Sequence, residues 1–172
     1  ILSDVKRTYN VDENRVVVFG TSDGGTGAYF LAFRDTTPWA AFLPFIGDPR
    51  VLLPELIGAG PGTTPSGDDM VVGTLAALAA RGLADAAIRL SAAVTPLLGA
   101  TTAASRHYIV AAASGRFAEH VHQLVDGLVD WMPARTILAC ASRWGATSGV
   151  DLLTGLAATL RAELAHRTKG AA

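Results

Sequence analysis

The sequence is poor in charged side chains and contains a single cysteine. Only 17% of its 172 residues are Asp, Glu, Lys or Arg, and the formal net charge is −1. No basic stripe is present, so the chain lacks the positive surface on which nucleic-acid binding depends, and we expect no nucleic-acid partner. The lone thiol, Cys140, excludes a disulfide framework.

Long hydrophobic runs are also missing. Half of the residues are hydrophobic, which predicts a folded chain, but no apolar run reaches the roughly 18 residues that a membrane span needs. No secretory signal is visible either. We therefore expect no membrane partner and a cytoplasmic, reducing location. The chain begins at Ile1 rather than at Met, which we interpret as a sign that it is a fragment of a longer product.

The composition changes near residue 52. Residues 1–52 predict a small α/β fragment of β-turn-α-β type, because β-branched apolar runs alternate with a glycine-rich turn and a helical segment. We expect a strand, a turn, a helix and a second strand at 15–19, 20–25, 27–34 and 40–46.

Residues 54–172 predict a second, mainly α-helical domain rich in alanine and leucine, so that the whole chain is a helix-rich α+β protein. The apolar spacing and the positions of glycine and proline predict helices at 68–81, 83–98, 101–114, 116–130, 134–142 and 148–166.

A serine lies in a tight turn of the first part. Residues 20–24 fit the G-x-S-x-G elbow that lifts a nucleophilic serine above a sheet edge. Residues 4–52 resemble the α/β-hydrolase family, in particular its esterase and peptidase-like members, and this resemblance implies that Ser22 is the nucleophile and the Asp23 N–H an oxyanion donor. A serine nucleophile needs a general base. All four histidines lie in the second part, so the elbow is also interpreted as an inert remnant.

Two turns of the same pattern, S-G-x-D-x-x-x-G, occupy residues 66–73 and 148–155 and open predicted helices. Small residues at a helix start can direct free N–H groups and the positive end of the dipole at one anion. Ser66 and Ser148 are equally good candidates for ordinary N-caps, and Gly73 and Gly155 can simply allow two helices to pack closely. If both helix starts meet at one pocket, the repeat predicts a pseudo-symmetric anion site.

Residues 56–165 resemble a bacterial family associated with oxamate carbamoyltransferase, an enzyme of anaerobic allantoin degradation. The resemblance rests on the glycine-rich segment 56–69, on 114–119 and on 145–155. It implies a multi-subunit transferase that handles carbamoyl phosphate, and it covers only the C-terminal part of a typical member.

The expected ligand contacts are backbone N–H groups, hydroxyls and capping carboxylates of the two turns, with Arg106 or Arg143 to neutralise charge. These ligand-binding candidates are Gly60, Gly62, Thr63, Thr64, Ser66, Gly67, Asp68, Asp69, Thr147, Ser148, Gly149 and Asp151. Because like charges repel, the aspartates are expected to cap N–H groups, to orient a basic side chain, or to hold a divalent cation. No other cofactor is predicted.

The favoured function is a carbamoyltransferase-related subunit that binds a small anionic metabolite and assembles with other subunits. The alternatives are a serine esterase that uses Ser22 and a non-catalytic scaffold or truncated chimera.

Overall fold

The computed structural model describes residues 2–11, 17–21, 28, 41–45 and 49–170. It divides into two compact units, Ile1–Glu55 and Leu56–Ala172. Among the described residues, no helix combines the length and apolar character needed to cross a membrane. The elements are, in chain order, α1 (Leu2–Thr8), β1 (Val17–Thr21), β2 (Ala41–Phe45), α2 (Pro49–Leu56), α3 (Ser66–Ala80), α4 (Ala84–Val94), a 3-10 helix (Thr95–Ala100), α5 (Ala103–Ala113), α6 (Glu119–Val129), α7 (Ala134–Ala141) and α8 (Ser148–Gly170).

The described strands of the first unit form a parallel pair. Their register runs from Val17 opposite Ala41 to Thr21 opposite Phe45. The first strand includes Gly20 and Thr21, which were expected in the turn, because pairing with β2 overrides the local turn preference of glycine. The predicted start of this strand, at 15–16, lies outside the described residues. The predicted turn, Ser22 and nearly all of the helix at 27–34 lie outside the described residues, so the β-turn-α-β connection and the elbow stay predictions.

The described elements of the second unit are all helices, and the helix-rich class is confirmed. One predicted helix, 83–98, is wrong at its end, since α4 stops at Val94 and a 3-10 helix follows. Pro96 explains the change, because it has no N–H to continue the α-helical ladder. Gly115 takes the expected position after α5, with φ of +72° and its N–H donating to the Ala112 carbonyl oxygen at 2.9 Å, which is a typical helix C-terminus.

Helix α3 is the centre of the second unit and packs along α8. Its apolar side chains are buried, with Leu75 only 1% exposed, and Leu156 of α8 is fully buried. The two helices cross at glycines. An added Cβ at Gly73 would lie 2.0 Å from the Leu152 carbonyl oxygen, and one at Gly155 would lie 2.0 Å from that of Met70. The contact is reciprocal, since each helix approaches the backbone of the other at the eighth residue of its own length.

Candidate functional site

The two Ser-Gly turns are built alike around their second residue. A Cβ at Gly67 would lie 1.9 Å from the Leu56 carbonyl oxygen, and a Cβ at Gly149 would lie 2.0 Å from the Ala141 carbonyl oxygen. Leu56 and Ala141 each end the preceding helix. In both copies, therefore, glycine is required because the start of one helix lies directly against the end of another.

The N–H groups of these two glycines are already engaged. That of Gly67 donates to the Ala59 carbonyl oxygen at 3.0 Å, and that of Gly149 donates to the Trp144 carbonyl oxygen at 3.0 Å. The expected anion contacts from these two N–H groups are therefore not supported, since both donors close their own loops. Within the described part of the chain, the Ser148 N–H donates to no backbone carbonyl.

The prediction that Ser66 and Ser148 act as N-caps is wrong. Ser66 is the first residue of α3, and Pro65 precedes it without a side-chain capping bond. Ser148 is likewise the first residue of α8, and its Oγ lies 2.9 Å from the Thr64 Oγ1. The Ser148 hydroxyl thus joins the two turns instead of capping its own helix, and the N-terminus of α8 meets the loop that leads into α3.

A cavity of about 260 Å³ opens where the two turns meet. Four of the residues expected from the sequence line it, namely Thr63, Thr64, Asp69 and Ser148. The remaining lining residues are Val72, Tyr108, Arg116, Phe117, Ala118, His120, Val121, Trp144, Gly145 and Leu152. All of them belong to the second unit.

Asp68 serves the fold rather than the cavity. It is 1% exposed, and its Oδ1 accepts from the Gly58 N–H at 2.9 Å, while its Oδ2 accepts from the Thr101 hydroxyl. It thereby ties the loop before α3 to the segment before α5. Arg106, expected to neutralise ligand charge, instead donates to the carbonyl oxygens of Leu98 at 3.1 Å and Thr101 at 3.4 Å.

Several other expected residues surround the cavity without lining it. Gly60 has φ of +113°, and a Cβ there would lie 2.8 Å from the Ser66 nitrogen. Gly62 has φ of +98° with open space around it. Thr147 is exposed, and its carbonyl oxygen accepts from the Asp151 N–H at 2.9 Å. None of these three residues lines the cavity.

Asp69 is the carboxylate of the cavity. Its side chain is nearly buried, at 9% exposure, and its Oδ2 has no hydrogen-bond partner. Burial raises the pKa of Asp69 to about 6, and the negative charges of Asp151 and Asp68 act in the same direction. Hydrogen bonds from the Ser148 and Thr64 hydroxyls oppose the rise. At neutral pH the carboxylate is therefore mostly ionised but incompletely solvated.

Sequence reasoning missed the basic and aromatic side of the cavity. Arg116 follows the C-terminus of α5 and lines the wall. His120 stacks on Trp144, with ring centroids 4.1 Å apart and an interplanar angle of 23°, and burial lowers the pKa of His120. The signal for Arg116 was its place in the family-like segment 114–119, whereas nothing local links His120 to Trp144.

The described residues contain no group of three or more His, Cys, Asp or Glu side chains that could hold a metal ion. Asp68, Asp69 and Asp151 therefore do not form the cation site offered as an alternative. The residues that line the cavity carry four hydroxyls, a guanidinium, a stacked imidazole and one buried carboxylate.

A family model, that of the oxamate carbamoyltransferase subunit AllH, matches residues 56–160, which confirms the resemblance predicted from the glycine-rich segments. The match includes both Ser-Gly turns and every residue that lines the cavity. No curated protein and no solved structure gives a significant match to the chain. The hydrolase resemblance of residues 4–52 gains no support from these comparisons.

Proposed function

The chain belongs to the family of the oxamate carbamoyltransferase subunit AllH, and on this premise we propose that the cavity at its paired Ser-Gly turns binds a small anionic metabolite, with carbamoyl phosphate as the favoured ligand. The observation that carries the proposal is the meeting of the two turns. The Thr64 and Ser148 hydroxyl oxygens lie 2.9 Å apart, and both residues line the cavity.

Helix geometry supports an anionic ligand. The N-terminus of a helix carries a partial positive charge, and α8 begins at Ser148 on the cavity wall, where the Ser148 N–H donates to no backbone carbonyl of the described residues. Helix α3 begins two residues after Thr64 and places Asp69 in the same wall. Two helix ends and their neighbouring hydroxyls therefore act on one small volume, which is the arrangement that phosphate and carboxylate groups favour.

The cavity's size and charge support the same conclusion. Its volume of about 260 Å³ lies just below the roughly 300–1,000 Å³ of pockets for drug-sized ligands, which suits a metabolite of a few atoms. Arg116 supplies a full positive charge to the wall, and guanidinium groups bind phosphate and carboxylate oxygens in pairs. Asp69 opposes an anion electrostatically, so the phosphate is expected beside Arg116 and away from the Asp69 carboxylate.

The proposal is tested by calorimetric titration of the purified chain with carbamoyl phosphate and, separately, with sulfate as a bare tetrahedral dianion. We expect saturable binding of both. Arg116→Ala and Ser148→Ala each remove one donor to a charged ligand, and we expect each to weaken binding by about tenfold or more.

Matched controls come from the same segments. Arg143 and Thr147 are exposed and lie outside the cavity wall, so Arg143→Ala and Thr147→Ala are expected to leave both affinities unchanged. The proposal fails if neither anion binds the wild-type chain, or if the two control variants weaken binding as much as the cavity variants do.

We also propose that the chain works with other subunits, because the matching family is named for a subunit. Carbamoyl transfer needs an acceptor and a group that takes the acceptor's proton, and the proposed ligand fills only part of that requirement. Co-purification of the chain with the products of neighbouring genes, followed by sizing of the complex, tests this part of the proposal; a chain that stays alone under these conditions would contradict it.

A further inference from the structure

We propose that a second copy of this chain docks at the corner between α6 and α7, with the Trp131 ring at the centre of a two-fold interface. The α6–α7 corner comprises residues 126–138, and none of them lines the anion cavity. The inference goes beyond the proposed function, because it concerns a different surface and a macromolecular partner. It holds whether or not an anion binds.

The first support is the apolar surface that the corner exposes. Trp131 is 89% exposed, more than any other large hydrophobic side chain in the described part of the chain. Three apolar side chains of the same corner, those of Val129, Met132 and Leu138, are exposed with it. Indole rings bury a large area and are enriched at the centres of protein interfaces, where they contribute much of the binding energy. A group of exposed apolar side chains around a tryptophan is therefore typical of an interaction surface.

The second support is the backbone of Trp131, which is in a conformation that favours glycine. Its φ of +56° is the only positive φ of a non-glycine residue in the described part of the chain. The Met132 N–H donates to the Gly127 carbonyl oxygen at 2.9 Å, which is the bond of a Schellman helix end, and Trp131 occupies the position where glycine is usual. A bulky side chain costs stability there. The strain therefore falls on the residue whose ring is most exposed, and such strain clusters at functional positions.

The third support is the charge on either side of Trp131, which is unfavourable for a single copy. Asp126 lies in the last turn of α6 and Asp130 directly follows that helix, where the helix dipole repels negative charge. Arg135 lies in the first turn of α7, where the dipole repels positive charge. Among the described residues, no ion pair involves these three side chains. All three charges therefore remain available to a partner.

These charges are self-complementary, which favours a second copy as the occupant. In a two-fold interface each contact occurs twice, because residue i of one copy meets residue j of the other. An axis at Trp131 brings the acidic end of α6 in one copy to Arg135 of the other, so that two ion pairs flank the indole rings. An anionic lipid surface or a nucleic acid would be repelled by Asp126 and Asp130.

The first test measures the mass of the purified full chain by light scattering from about 1 μM to about 100 μM, where interfaces of modest affinity dissociate. We expect the mass to rise from that of one chain to that of two. Trp131→Gly removes the ring, so we expect its dimer to dissociate at least about tenfold more readily.

Two further measurements separate this effect from misfolding. Glycine suits the backbone of position 131, so the Tm of dilute Trp131→Gly should equal or exceed that of dilute wild type. Ile88→Ser is the matched control, because Ile88 is an apolar residue of α4 that is 65% exposed and lies outside the α6–α7 corner. We expect Ile88→Ser to leave the dimer unchanged.

The second test reverses the charges beside Trp131. Asp130→Arg and Arg135→Glu each place like charges opposite one another in a dimer of the variant, while each new charge suits the dipole of its own helix, so folding should be kept. We expect each variant alone to dimerise at least about tenfold more weakly than wild type. An equimolar mixture of the two variants should regain the wild-type affinity, because a mixed pair restores both contacts between opposite charges.

The outcomes also separate this proposal from the anion site. A wild-type chain that keeps the mass of one copy up to about 100 μM refutes the docking of a second copy. A dimer that persists in Trp131→Gly refutes it too, since its interface then lies elsewhere, and a mixture of charge variants without rescue overturns the two-fold arrangement. Failure of anion binding would leave these masses unchanged, so the two proposals fail separately.

Discussion

Gly155→Ala is expected to unfold the second unit more easily, because the added methyl group has no room. Its Cβ would lie 2.0 Å from the Met70 carbonyl oxygen and 2.8 Å from the carbonyl carbon. Ordinary contact begins near 3.4 Å, so helices α3 and α8 must separate by about 1.4 Å. Because Met70 contributes backbone atoms here, no side-chain rotation can relieve the clash.

The magnitude follows from two opposing effects. Overpacking in a core costs about 1–3 kcal/mol, occasionally more, while alanine is better than glycine in a helix interior by roughly 0.5–1 kcal/mol. Because the clash is between backbones at the centre of the unit, we place the net loss near 2 kcal/mol, which lowers Tm by about 4–8 °C in a chain of this size.

Thermal and urea unfolding of wild type and variants measure this loss. Gly127→Ala is the matched control, because Gly127 lies inside α6 and its nearest obstacle is the flexible Met132 sulfur at 3.2 Å; we expect it to be neutral or slightly stabilising. Gly73→Ala should lower the stability about as much as Gly155→Ala. The double variant should lose less stability than the sum of the two single losses, because both substitutions force the same two helices apart. Wild-type stability in Gly155→Ala would refute the close approach of α3 and α8.

Two further predictions concern charge. The free energy of unfolding should fall by up to about 3 kcal/mol as the pH rises from 3.8 to about 6, because over this range the folded state keeps the proton of Asp69 that the unfolded state releases. Urea titrations at several pH values should show that Asp69→Asn removes this contribution. Equal pH slopes for wild type and Asp69→Asn would contradict the prediction. Arg81→Met should lower the free energy of unfolding by about 1 kcal/mol in the same assay, since the Arg81 Nε lies 2.9 Å from the carboxylate of Glu163, whose side chain is 11% exposed. An unchanged urea midpoint would show that this ion pair contributes nothing to stability.

The helical part of the fold was predictable because its signals are local. Alanine and leucine spacing, Gly115 and the break before Ala134 define helices without knowledge of their neighbours, and the observed bounds follow them closely. Where the prediction failed, as at the end of α4, the cause was also local, since Pro96 lacks the N–H that would continue the α-helix. The inclusion of Gly20 and Thr21 in β1 had a different cause, namely pairing with a strand that lies more than twenty residues away in the sequence.

The site was predictable only in part, because its two halves depend on different kinds of information. The pattern S-G-x-D identified both helix starts, but it could not separate Asp68 from Asp69. Successive residues of a helix point about 100° apart, so Asp68 bonds to Gly58 and Thr101 while Asp69 lines the cavity. Arg116 and His120 join the site through packing between helices, which leaves no periodic signal in the sequence.

The central claim, that an anion binds where the two turns meet, is tested most directly by the indole signals of the ¹⁵N-labelled chain. The sequence has three tryptophans, and Trp144 lines the cavity, where it stacks on His120, while Trp131 is 89% exposed and lies outside the cavity wall. During titration with carbamoyl phosphate, we expect the Trp144 indole N–H to shift and saturate while that of Trp131 stays in place. A Trp144 signal that does not move, or equal unsaturated drifts of both signals, would contradict the claim.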